Sequence, residues 1–124
     1  MQITKLDHVN LRTTQLDKMV TWYTDILGLR IGERPDFPFP GAWLFAGDQA
    51  VVHLMDVEED AGTGSEVPLK LEHFAFRAEG ATGFEDRLNA SGEKYRRSDQ
   101  PKMKLVAFNV WDPDGNHIHV DFET

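Results

Sequence analysis

The chain has 124 residues, 40% of them apolar and 27% charged, with a formal net charge of −8. That length suits one compact domain or two small halves that share a core, and the acidity argues against a protein that tracks nucleic-acid phosphates. The absence of cysteine excludes disulfides, thiolate ligands and a cysteine nucleophile, so any metal must be held by His, Asp, Glu or water.

In chain order, residues 3–12 alternate with period two: Ile3, Val9 and Leu11 on one side, His8, Asn10 and Arg12 on the other. That pattern predicts a strand with two distinct faces. A helix follows, carried by Leu16, Met19, Val20, Tyr23, Ile26 and Leu27 at helical spacing. Thr14 and Asp17 resemble a capping box at its start, and Gly28 marks its end. Strands are expected near 30–34, 42–46 and 50–57, with Ala46-Gly47-Asp48-Gln49 as a tight turn. Between the first two lies Pro-Asp-Phe-Pro-Phe-Pro at 35–40, a loop in which core placement of Phe37 and Phe39 is difficult and a lid over a site is the natural role.

Residues 58–69, acidic and then rich in small residues, read as a linker. Beyond it the series repeats. A strand is expected over 71–78, and a helix that starts at Thr82 and Glu85, carries Phe84 and Leu88 and stops at Gly92. Strands near 94–98, 104–111 and 117–122 complete it, the last two joined by the turn Asp112-Pro113-Asp114-Gly115-Asn116. The prediction is an α+β protein of two tandem βαβββ units, 1–57 and 70–124, which form curved, mainly antiparallel sheets with helices outside and together make one domain.

The repeat extends to chemistry. Leu-Asp-His-Val-Asn-Leu-Arg at 6–12 is matched by Leu-Glu-His-Phe-Ala-Phe-Arg at 71–77, and Val52-His53-Leu54 by Ile118-His119-Val120. Four of the five histidines therefore occupy two pairs of equivalent positions, His8 with His73 and His53 with His119. Each lies on the side of its strand opposite the apolar residues, so helices on the apolar faces leave all four on the inner wall of a curved sheet. Imidazole is a common neutral ligand for transition metals, and the four histidines are the candidate ligands of a divalent Fe, Zn, Ni, Co or Mn ion. His117 has no counterpart in the first half and reads as a rim or surface residue.

These segments resemble the vicinal oxygen chelate superfamily of glyoxalase I, extradiol dioxygenases, methylmalonyl-CoA epimerase and bleomycin or fosfomycin resistance proteins. The resemblance runs through the two histidine heptapeptides, Trp22-Tyr23-Thr24-Asp25-Ile26-Leu27-Gly28-Leu29 and the Asp112–Asn116 turn, and covers nearly the whole chain. It implies metal ligands on the first and last strand of each unit, the positions of His8, His53, His73 and His119. It also implies a small-molecule substrate and a homodimer. One departure stands out: where the family usually has a glutamate, this chain has His119.

The function expected is a metal-dependent enzyme that chelates a small substrate through neighbouring oxygens, as a glyoxalase-like lyase or isomerase. An Fe(II)-dependent ring-cleaving dioxygenase and a metal-free drug-binding protein of the bleomycin-resistance kind are the alternatives. Substrate contacts are expected from Arg12, Phe39, Trp43, Met55, Arg77, Trp111 and Asp121. No apolar run has the length of a membrane span and the start lacks a secretory apolar core, so a cytoplasmic protein with no membrane partner is expected.

Overall fold

The computed structural model describes residues 1–59 and 71–124; most of the expected linker lies outside them. The chain divides into two compact units, Met1–Gly62 and Thr63–Thr124. The first contains β1 (Val9–Thr13), α1 (Leu16–Asp25), β2 (Arg30–Gly32), β3 (Gly41–Ala46) and β4 (Gln49–Asp56). The second repeats the order with β5 (Phe74–Ala78), α2 (Ala81–Ala90), β6 (Tyr95–Gln100), a short 3-10 turn (Pro101–Met103), β7 (Leu105–Trp111) and β8 (His117–Glu123).

The two tandem units and their outside helices are as expected, and two of the three pairings in each sheet are antiparallel, but the sheets are not the curved walls expected. Each is an open sheet of four strands and mixed direction, ordered β1-β4-β3-β2 and β5-β8-β7-β6, neither curved round nor closed. The reason is topological. A helix carries the chain back after the first strand, and the two reversals that follow leave β4 running parallel to β1 and β8 parallel to β5.

The alternation seen in the sequence sorts the faces. In the first unit Leu44, Val52 and Leu54 are buried on one side, where Met19, Trp22, Tyr23 and Ile26 of α1 are also buried. In the second, Phe84 of α2 meets Phe108 and Phe122 at ring-centroid distances of 5.6 and 5.7 Å. Burying each large apolar side chain stabilises a unit by about 1.5–3 kcal/mol. The histidines occupy the opposite faces.

Local details differ from expectation where a partner strand or cap is absent. β1 begins only at Val9, where pairing with Val52 begins, and Ile3 is exposed. Neither capping box forms. The N-cap of α1 is Gln15, whose backbone N–H donates to the Thr13 hydroxyl at 3.0 Å, and that of α2 is Gly80 in a left-handed conformation. Thr82 therefore sits inside the first turn instead of at the cap. Gly28 and Gly92 do take positive φ just beyond the helices.

Candidate metal centre

The first-unit face is a stack of rings. Trp43 and His53 are paired across β3 and β4, and their rings lie parallel at 4.0 Å. The His8 ring stacks on the other side of His53 at 3.9 Å. The series continues outward, with Phe37 6.3 Å from Trp43 and Phe39 stacked on Phe37 at 5.3 Å. Arg34 secures this loop, donating to the Phe39 carbonyl at 2.7 Å and covering both phenyl rings. Gly41 is required where the loop enters β3, because a Cβ there would lie 2.3 Å from the Leu54 carbonyl oxygen.

Burial in this stack, with the nearby His8 charge, lowers the His53 pKa and favours its neutral form. His8 is bonded through Nδ1 to Asp7 at 2.7 Å, and that bond lowers the Asp7 pKa. Arg12 and Met55 pair across β1 and β4 on this same face, with Arg12 exposed and Met55 half-buried.

The second-unit face is wired through polar bonds. His73 and His119 stack at 3.8 Å. His117 is buried, not on the rim as expected, because β8 begins with it and the strand's period of two puts it beside His119 on one face. The turn before it is held by Asp112, whose carboxylate accepts from the backbone N–H groups of Asp114 and Asn116 at 3.0 and 2.9 Å. Gly115 makes that turn possible with φ of 83°.

His117 Nδ1 faces Glu72 Oε1 at 2.9 Å, and its Nε2 faces Asn109 Oδ1 at 2.9 Å. The other Glu72 oxygen bonds His73 Nδ1. These bonds, His73 first, lower the Glu72 pKa. Arg96 anchors Asn109, donating to its Oδ1 at 3.2 Å and accepting at its own carbonyl from Asn109 Nδ2 at 3.1 Å. Trp111 stacks on His117 at 5.1 Å with Lys94 over its ring. Burial lowers the His119 pKa, helped by the nearby charges of His73 and His117.

Of the four repeat-equivalent histidines, each unit thus brings its own pair together. His73, His117 and His119 present one nitrogen each within 4.8 Å of one another. The donor chemistry fits a transition ion: imidazoles only, with the His119 pKa lowered in favour of the neutral form that donates a lone pair. The parallel rings of His73 and His119 would have to rotate to converge on a single ion.

Arg77 is exposed and bound to Glu123 at 3.1 Å. Asp121 lies one pleat from His119; its Oδ1 is shut off from solvent and has no hydrogen-bond partner among the described residues. Glu72, Asn109 and Arg96 were missed from sequence, having no metal-site signature of their own. His117 could have been found from the His-x-His spacing on a strand.

The sequence model of the Glyoxalase/Bleomycin resistance protein/Dioxygenase superfamily matches residues 5–120. The chain belongs to this superfamily. It is similar to a probable lactoylglutathione lyase of Synechocystis sp., 28% identical with 91% of each chain covered. It is also similar to a lactoylglutathione lyase of Arabidopsis thaliana, 25% identical over 87% of this chain but only 40% of the plant protein's length. A crystal structure of a glyoxalase family protein from Bacillus anthracis shares the fold, with a TM-score of 0.81 at 20% identity, covering 100% of this chain and 98% of that one. Members of this superfamily include enzymes, and the cluster of imidazoles sits on the face where the histidine repeat pointed. No helix among the described residues is long and apolar enough to cross a membrane.

Proposed function

We propose that the chain is a metal-dependent enzyme acting on a small molecule with two neighbouring oxygens, as a glyoxalase-like lyase or isomerase. The observation that carries this reading is the convergence of three imidazole nitrogens, from His73, His117 and His119, within 4.8 Å. The similarity to two proteins named as lactoylglutathione lyases supports it. His73 and His119 are proposed ligands on both counts, repeat and cluster, and His8 and His53 are the corresponding candidates of the first unit. A divalent transition ion bound by such donors supplies Lewis acidity toward a developing oxyanion.

The chain's other residues have distinct proposed roles. Phe39, Trp43 and Met55 offer an apolar wall, and Trp111 a second aromatic surface. Arg12 and Arg77 offer guanidinium groups to a substrate carboxylate; Arg77 must exchange Glu123 for it. Asp121, one pleat from His119, is proposed to accept a hydrogen bond from a substrate hydroxyl. The homodimer is part of the same proposal, and sedimentation velocity checks it.

One observation favours a second reading, an Fe(II)-dependent ring-cleaving dioxygenase. The ligand position usually held by a glutamate is His119, so that position has no carboxylate to move a proton in isomerisation. Elemental analysis of the purified protein, followed by turnover assays after metal removal and reloading, separates the two. Hemithioacetal turnover restored by Zn, Ni or Co is the expected result. Oxygen uptake with catechols restored by Fe(II) alone would replace the first reading with the second, and no metal uptake under any condition would remove both.

A further inference from the structure

We propose that β6 is a self-complementary edge through which two copies of the chain join across a two-fold axis, so that their four-stranded second sheets become one continuous sheet. This rests on the homodimer of the reading above, to which it gives a surface, and is independent of the metal. β6 (Tyr95–Gln100) ends the order β5-β8-β7-β6, and no strand among the described residues pairs with its outer side. Arg96, Arg97 and Asp99 are exposed there.

The ladder shows which backbone groups are free. The Thr124 N–H donates to the Lys104 carbonyl at 3.0 Å and the Asp112 N–H to that of Asn116 at 3.1 Å, so Val106, Phe108 and Val110 of β7 bond toward β8. Bonded residues alternate along an antiparallel strand. Leu105, Ala107 and Asn109 therefore bond the other way, to Gln100, Ser98 and Arg96. The Asn109 side-chain amide, which donates to the Arg96 carbonyl at 3.1 Å, agrees with that direction. The backbone N–H and C=O groups of Tyr95, Arg97 and Asp99 are left at the free edge.

A second β6, antiparallel to the first, meets these groups in few registers. Across a two-fold axis opposed residues share a face, so the axis passes through a residue. At Ser98 it opposes each Arg97 to the second copy's Asp99, with both backbone bonds of each pair formed. Opposite charges directly across a pair attract, and like charges repel. At Arg97 the axis would set two guanidinium groups against each other, and at Asp99 two carboxylates. Pro101, next after the strand, has no N–H and closes the paired stretch. Within one chain Arg97 donates to Asp99 at 3.3 Å and to Glu85 at 3.1 Å, so these charges already gather on one face. An opposed pair lies closer, with Cα atoms about 5.5 Å apart against roughly 6.8 Å for residues two apart on one strand.

β1, β2 and β5 are edges too, and none fits as well. β2 has three residues, and so short an edge gives little to pair with. β1 and β5 each carry one arginine and no acid, so neither can match opposite charges with its own copy. Among the described strands, β6 alone has an arginine and an aspartate two residues apart on one face.

Sedimentation velocity of the full chain over a range of concentrations tests this. The unaltered chain should dimerise. Arg97→Asp and Asp99→Arg each set like charges against each other, and each should weaken self-association at least about 10-fold. Mixing the two variants should restore a dimer, since each then supplies the charge the other lacks. Because Arg97→Asp also removes the bond to Glu85, a second measurement uses the unaltered chain. Hydrogen exchange of the Arg97 and Asp99 amides should slow as the concentration rises. A dimer unweakened by either variant, folded variants that do not pair when mixed, or a dimer whose two amides ignore concentration would overturn the assignment to β6 and leave the homodimer standing. A chain that stays monomeric throughout would remove both.

Discussion

The two histidine faces are built on the same four-strand ladder and end in different chemistry. In the first, His53 lies between His8 and the Trp43 indole, so the imidazoles are packed as rings among rings. In the second, the position of Trp43 is taken by Asn109, and the position of Val51 by His117. An indole contributes area but no acceptor; an amide contributes an acceptor that holds a ring in one orientation. Two side chains on a duplicated backbone thus convert a stacked surface into a wired cluster.

Removing the features that distinguish the two faces should expose that difference, and Trp43→Ala should have the largest effect. It takes away the indole stacked on His53 and tilted against Phe37, and a loss of about 3 kcal/mol is expected, the low end for large aromatic truncations. Urea unfolding measures it, and NMR titration of the same variant should show the His53 pKa rising toward its ordinary value as its cover is lost. Asn109→Ala should follow, at about 1–3 kcal/mol, because it strands His117 Nε2 and the Arg96 carbonyl. If Asn109→Ala proved the costlier, ring packing would not be what distinguishes the first face.

The pH dependence tests both faces at once. His53 and His119 have folded pKa values below the ordinary 6.5, so the unfolded chain takes up their protons first. Their contribution to stability is whole above that value and declines as the pH falls through it toward the depressed folded values. Urea midpoints at about pH 7.5 and about pH 5.5 should show the decline, and His53→Gln should flatten it. Glu72 and Asp7 act in a lower window: their contribution is present above their ordinary 4.5 and 3.8 and is lost as the pH falls through the lowered values. The smallest effect expected is that of Asp7→Asn. Asp7 is exposed, so solvent screens its bond to His8, unfolding should shift least of all, and the His8 tautomer, read from ¹⁵N shifts, should respond.

Much of the frame was legible in the sequence. Period-two alternation sets His119 on the side of β8 opposite Ile118 and Val120, and the duplicated heptapeptides mark His8 and His73. The capping boxes failed because helix starts depend on where the preceding strand stops, which Thr14 and Thr82 do not encode. The curved sheet failed for a related reason: inward-facing histidines specify a face, and an open sheet has faces as well.

The sequence by itself determined the repeat, the order of elements and which residues share a side, because those follow from periodicity along the chain. Only the tertiary structure decided that His117 is buried with His73 and His119, and that Glu72 spans two of the rings. The Glu72–His117 bond joins residues 45 positions apart, and it arises from strand register, which no local pattern contains.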